Sequence, residues 1–265
     1  MARILWLFIT VLVAVQVEAA VFDHAQWDSL LQKHVIVLSG GKVTQVDYDG
    51  FLDDRDRLKE YLNSLAEVDR DTFDGYSLDH QLAFLINAYN GWTVELILTG
   101  YPDLESIKDL GNLFQSPWKK QFLPLLGEKR SLDDIEHNLI RGSGRYNDPR
   151  IHFAVNCASI GCPSLRSEAY TGEKLQNQLA EASEFFLADR ERNRLNNQVL
   201  EVSSLFKWYR QDFEKGWLGF QSLGQFLASY DQALGLDEKT AEKVRAGGIK
   251  IDFLKYDWKL NKKNI

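Results

Sequence analysis

Cys157 and Cys162 are the only two cysteines in this 265-residue chain, and His152, one of five histidines, precedes Cys157 by the same interval that separates the two thiols. All three lie in DPRIHFAVNCASIGCPSL, residues 148–165. A thiol beside an imidazole can ionise to a thiolate–imidazolium pair, the nucleophile of acyl-transfer chemistry. The same two thiols could instead close a short disulfide, and thiols with an imidazole are also zinc ligands. A catalytic thiol needs a base and a group to orient it. A disulfide needs an oxidising compartment. A metal needs further ligands at chelating spacing.

A second cluster stands just upstream in SLDDIEHNLIRG, residues 131–142. On a helical wheel Leu132, Ile135, Leu139 and Ile140 form an apolar stripe, and Glu136 falls inside it. A carboxylate turned into a core must be paired, or its pKa rises. His137 lies at the stripe's edge, one turn before Arg141. The plain reading is a structural Glu–Arg or Glu–backbone bond and a surface histidine. The sharper reading makes Glu136 the orienter of His137, with His137 or His152 the base for Cys157. A third cluster, LINAYNGWT, puts Asn87 and Asn90 on an apolar helix, followed by Glu95. Each amide taken singly satisfies neighbouring backbone; the pair together suggests a polar cluster, with Asn90 a candidate oxyanion donor.

Glu136, His137, His152, Cys157 and Cys162 are all admissible zinc ligands, yet no His-Glu-x-x-His or Cys-x-x-Cys spacing occurs. Gly-rich phosphate loops and serine nucleophile elbows are absent as well. No metal and no cofactor is expected.

Several elements must position these residues. Trp27, Leu30, Leu31, His34 and Val35 have helical spacing. VTQVDY reads as a short strand, and Phe51, Leu58, Leu62 and Leu65 mark a second helix. Ser77 caps a long helix over 78–98 that is apolar almost all round, hence central and buried. FLPLLGEKRSL reads as a hairpin turning at Gly127-Glu128. Ser131 with Asp134 resembles a capping box, opening a helix through Arg141. RIHFAVNC reads as a strand, with His152 and Asn156 on one face. TGEKLQNQLAEASEFFLAD, SLFKWYRQDF and SLGQFLASY read as helices, QVLEVS as a strand, and IKIDFLKYDWKLN as one or two closing strands. The fold class is α+β: a central buried helix and a helical first half packed on a mixed, mostly antiparallel sheet.

The first residues, MARILWLFITVLVAVQVEAA, combine Arg3, an apolar run and a small-residue site at Val17-Glu18-Ala19. This is the pattern of a secretory signal peptide over 1–19, too short for a membrane anchor. The expectation is a mature protein from about Ala20 to 265, one globular domain, periplasmic or secreted. At 45% hydrophobic residues there is enough apolar sequence for a core. A formal charge of −7 and no basic stripe argue against nucleic acid as a partner. No later segment is expected to cross a membrane.

The stretches WDSLLQKHV, VDYDGFL, LAFLINAYNGWTVELIL, SLDDIEHNLIRG, DPRIHFAVNCASIGCPSL, LFKWYRQDF and YDWKLN together resemble the family catalogued as domain of unknown function 547. The resemblance implies that Glu136, His137, Arg141, His152, Asn156, Cys157 and the Asn87/Asn90 pair fall in its signature motifs, with Arg150 among the supporting residues. Its bacterial members are often exported. A looser likeness is to papain-like and transglutaminase-like cysteine enzymes, whose nucleophilic cysteine starts a central helix. The helix over 78–98 has no cysteine, so on that scaffold the thiol has moved to Cys157 or the site is no longer a peptidase site.

Two readings stand. One is a thiol-dependent hydrolase or acyl transferase, with Cys157 as nucleophile acting on an unidentified small-molecule or peptide-like ligand. The other is a non-catalytic binding or accessory protein in which Cys157 and Cys162 are bridged. A ring that short would contribute only about 2–3 kcal/mol.

Overall fold

The computed structural model describes residues 21–112 and 115–263. The expected cleavable segment, 1–19, lies outside the described residues. The chain opens with α1 (Ala25–His34) and the antiparallel pair β1 (Val35–Leu38) and β2 (Val43–Val46). Then come α2 (Tyr48–Asp53), α3 (Arg55–Glu67), α4 (Arg70–Asp74) and α5 (Leu78–Leu98). A hairpin of β3 (Leu123–Leu125) and β4 (Glu128–Arg130) leads to a π-helix, Asp134–Arg141. After an irregular stretch follow α6 (Leu175–Ala188), β5 (Arg194–Asn196), β6 (Val199–Ser203), α7 (Leu205–Trp208), α8 (Leu223–Ala228), α9 (Asp231–Leu234), α10 (Glu238–Arg245) and β7 (Lys250–Leu254). The fold is α+β.

α5 organises the first half. Ser77 Oγ accepts from the His80 N–H and so fixes its start, as Ser N-caps do. Every residue from Gln81 to Leu98 is buried. No face is left polar because α2, α3, α6 and the π-helix all pack on it. Its costly Glu95 is satisfied by the Arg55 guanidinium, with Nη2 at 2.7 Å. The strands lie outside this helical layer in three small sheets. In the largest, β5 pairs with β6 antiparallel and β6 with β7 parallel.

Three sequence expectations are corrected in detail. The hairpin turns at Leu126-Gly127, one residue earlier than expected, with φ of +54° and +76°. This is the left-handed pair of a two-residue turn. The helix expected through SLFKWYRQDF breaks at Tyr209 into α7 and a 3₁₀ turn, Arg210–Phe213. Most important, RIHFAVNC is not a strand. Pro149–Phe153 is a 3₁₀ turn, and Asn156 follows in irregular chain, so His152 and Asn156 share no strand face. Pro149 presets the first φ of the turn, and the Asp148 carboxylate accepts from the Arg150 N–H. The apolar run behind it is wedged between two cores. Ile151, Ala154 and Val155 join the core around α5, and Phe153 joins the aromatic core of Phe186, Phe206, Phe213 and Phe226. A short run buried on all sides has no periodicity to distinguish strand from helix.

Candidate functional site

The two asparagines of α5 are the frame of the site. Asn87 Nδ2 donates to the Tyr170 carbonyl at 2.7 Å, and its Oδ1 accepts from the Tyr170 N–H at 3.0 Å. One turn on, Asn90 Nδ2 donates to the Ala154 carbonyl at 2.9 Å, and its Oδ1 accepts from the Asn156 N–H at 2.8 Å. Each amide thus replaces a missing β-ladder for a segment in which buried backbone would otherwise go unpaired. Asn90 spends both of its groups on backbone, which makes it a positioning residue rather than an oxyanion donor. Asn156 continues the frame. Its Nδ2 donates to the Pro163 carbonyl at 2.7 Å, and its Oδ1 accepts from the Ala158 N–H at 2.9 Å.

Cys157 is held in the loop that this frame closes. Ala158, next to it, is in the left-handed region at φ +60°, an unfavourable state for a residue with a Cβ. The loop runs along the chain end: the Ile160 and Gly161 N–H groups donate to the carbonyls of Lys259 and Asp257, each at 2.8 Å. A Cβ on Gly161 would stand 3.0 Å from Asp257 backbone and the Tyr256 ring, so any larger residue would push these segments apart by a few tenths of an ångström. The consequence is that Tyr256 OH lies 3.1 Å from Cys157 Sγ, with Ser159 Oγ at 3.3 Å. Cys157 and Cys162 are free thiols, not a bridge. The Cys157 N–H donates to Cys162 Sγ at 2.8 Å. A hydrogen bond from Cys162, aided by Ser159 and Tyr256, holds the Cys157 thiol below its ordinary range against the opposing effect of burial. Burial, with the neighbouring Cys157, pushes Cys162 well up. Cys157 is partly exposed and Cys162 buried.

His152 makes no hydrogen bond to either thiol. Its Nε2 donates to Asp212 Oδ2 at 2.8 Å, and its ring stacks on Tyr209 with centroids 4.0 Å apart. Its Nδ1 is buried without a partner. Burial lowers its pKa even though Asp212 pulls the other way. Asp212 is itself buried, and also receives Arg141 Nε at 2.6 Å and Lys215 Nζ at 2.7 Å. Burial alone would raise its pKa, but the hydrogen bonds from His152, Arg141 and Lys215 prevail and hold it well below the usual carboxylate range. His152 is therefore the cleft histidine whose ring is fixed by a buried carboxylate, that of Asp212.

The π-helix brings up the second cluster. Ile135, Glu136 and Ile140 are buried, while Leu139 is only partly so. Glu136 is buried as its place in the stripe requires, but its Oε1 has no hydrogen-bond partner. Arg141 Nη1 donates to His137 Nδ1 at 2.7 Å. That nitrogen is the acceptor, so at 3.8 Å it has no proton to offer Glu136 Oε1. His137 is held by Arg141 more than by Glu136. Asp133, beside it, has its pKa raised, chiefly by burial.

These groups face one cleft of about 210 Å³. Cys157, Cys162, His152, Glu136, His137 and Asp133 all line it. Its walls are aromatic. Trp208 stacks on Trp258 at 5.6 Å, Tyr256 meets Trp258 at 4.4 Å, and Trp118 meets Trp258 edge-on at 5.8 Å. The structure thus gathers Cys157, Cys162, His152, His137 and Glu136. Asn87, Asn90, Asn156 and Arg141 support them from behind. Arg150 is elsewhere, paired with Asp148 at 2.6 Å and with Gln176 of α6 at 2.6 Å. Among the described residues no group of three or more His, Cys, Asp or Glu side chains could hold a metal ion, and no helix is long and apolar enough to cross a membrane.

Residues 73–187 match the family model described as a protein of unknown function, DUF547. That segment is a DUF547 domain. No curated protein and no solved structure matches the chain. The DUF547 segment contains α5, the π-helix, both cysteines and His152. Trp208, Tyr209, Tyr256 and Trp258, which complete the cleft, and Asp212, which holds His152 from behind it, come after that segment. The sequence reading did not single these out as site residues. They stand in LFKWYRQDF and YDWKLN, where Asp212 between aromatic residues was the available sign of a buried carboxylate.

Proposed function

We propose that this DUF547 protein is an exported, soluble thiol-dependent hydrolase or acyl transferase. Cys157 is the nucleophile, His152 the general base through Nδ1, and Asp212 the group that orients His152. The observation that carries this reading is the division of His152: Nε2 is committed to a buried carboxylate, Nδ1 is left unpartnered, and the residue lines the same cleft as Cys157. A neutral imidazole with its lone pair free is what proton removal from a thiol requires. Cys157 Sγ attacks an acyl carbonyl and the S–C bond forms while His152 takes the thiol proton; the bond from the acyl carbon to the leaving group then breaks, and His152 returns the proton to that group. Water or another acceptor then releases the acyl group. In the resting state Sγ is turned toward Tyr256 and Ser159, so rotation of the Cys157 side chain accompanies attack. Catalytic hydrogen bonds commonly tighten only with substrate present. The expected N-terminal processing near Ala19 supports work outside the cytoplasm.

The test is an activated ester. With p-nitrophenyl acetate, mass spectrometry should find an acetyl adduct on Cys157, absent from Cys157→Ser and slower to form in His152→Gln. No adduct, or an equal rate in His152→Gln, would refute the assignment. The absence of any imidazole hydrogen bond to Cys157 favours a second reading, a non-catalytic binding protein using the same aromatic cleft. A cleft that binds but never acylates would establish it.

A further inference from the structure

We infer that the cleft is built for the cationic end of its ligand, an alkylammonium or guanidinium group carrying N–H donors, and that Glu136 is the anion that receives it. Three observations meet here. Glu136 is more than nine-tenths buried; Tyr209 bonds to its carboxylate, but Oε1 accepts no hydrogen bond. A shielded carboxylate oxygen without a donor is a site waiting for one. The nearby His137 Nδ1 is already an acceptor from Arg141, so it cannot supply the proton. Second, the carboxylates reach the cleft while the nearby cations, Arg141 and Lys108, stay behind its aromatic walls, over Tyr209 and Trp258. Asp133 and Glu136 line it, and no lysine or arginine does. His152 is disfavoured as a cation by its burial. Third, the walls present π faces, which attract cations. Trp258 already carries the Lys108 ammonium 3.6 Å from its ring centroid.

An anionic or carboxylate-terminated ligand would meet repulsion from Glu136 and leave Oε1 unpaired. A neutral apolar ligand would fill the aromatic space but still leave that oxygen without a donor. An N–H cation satisfies both at once. The inference rests on the thiol reading for what the cation is joined to, an acyl group within reach of Cys157. It stands or falls without that reading.

The experiment is a tryptophan-fluorescence titration of the full chain as Cys157→Ser, with n-pentylammonium and its neutral counterpart n-pentanol. The expected result is saturable binding of the ammonium, tighter than the alcohol by about tenfold, as a charge-assisted hydrogen bond and π contacts imply. In Glu136→Gln, with folding checked by circular dichroism, the preference should shrink to about threefold or less. Equal affinity for the two probes, or no saturable binding of the ammonium, would overturn the inference, and that comparison needs no Glu136 variant. A full preference surviving in Glu136→Gln would overturn the role of Glu136. Failure of the thiol reading would show separately, as an unreactive Cys157 in a cleft that still prefers the ammonium.

Discussion

Asp212 Oδ2 lies 2.8 Å from His152 Nε2, joining residues 60 positions apart in the chain. The carboxylate is an acceptor only, so the imidazole carries its proton on Nε2 and keeps its lone pair on Nδ1. Arg141 and Lys215 share the same carboxylate, at 2.6 and 2.7 Å. Asp212→Asn would leave these two cations without their anion and remove the fixed tautomer. Loss of one partner of a buried charged network costs about 3–5 kcal/mol, and the retained shape of Asn brings the expected loss to about 2–4 kcal/mol. Urea unfolding measures it. A loss under about 1 kcal/mol would mean that the network does not hold these elements together.

Asn87 and Asn90 each hold both backbone groups of a buried segment. Replacing either with Ala leaves a donor and an acceptor unpaired, which costs about 1–3 kcal/mol per group in the worst case. We expect each variant to lose about 2–4 kcal/mol in urea unfolding, and Asn90→Ala to loosen Cys157 as well, seen as faster hydrogen exchange at Asn156. Unchanged exchange there would show that the loop closes without Asn90.

Glu136 behaves differently. A buried carboxylate with an unpaired oxygen burdens the fold, so its removal should not weaken it. Glu136→Gln is expected to keep or raise the melting temperature, by up to about 1 kcal/mol of stability. A clear fall in melting temperature would show that the bond between Tyr209 and the Glu136 carboxylate outweighs the burden of its unpaired oxygen.

Stability should decline in mild acid. His24 is buried with its Nδ1 2.8 Å from Tyr61 OH, and burial lowers its pKa from 6.5 to about 4. Above pH 6.5 both folded and unfolded chains hold it neutral, and its contribution is complete. Below that the unfolded chain takes a proton that the folded chain refuses until about pH 4, so stability falls across this window. Burial of His152 acts in the same direction. The expected loss from His24 alone is on the order of 3 kcal/mol. His24→Gln should flatten the profile of urea midpoint against pH; an identical slope would remove His24 as the cause.

Much of the fold and part of the site were legible in the sequence. Ser77 and the all-round apolar pattern located α5, because a cap and burial are local signals. Two asparagines on so apolar a helix signalled a polar cluster, and Glu136 in its stripe signalled a buried carboxylate. The 149–153 turn was not legible, because a short apolar run between two cores has no period. Asp212 was not legible as the partner of His152 because the contact depends on where α7 breaks, at Tyr209. The approach of Tyr256 to Cys157 is helped by the close packing at Gly161, whose role appears only when residues 256–257 lie against it.

The central claim is that Cys157 is an activated thiol, and the most direct measurement is the rate of its alkylation by iodoacetamide against pH. The key comparison is Cys162→Ser, which keeps a hydrogen-bond donor beside Cys157, with Cys162→Ala, which removes it. In both variants Cys157 is the only thiol left to react. The account predicts a midpoint clearly below the ordinary thiol value of about 8.5 in Cys162→Ser, and a rise toward or past that value in Cys162→Ala. Equal midpoints at or above the ordinary value in both variants would contradict it and leave Cys157 a structural thiol.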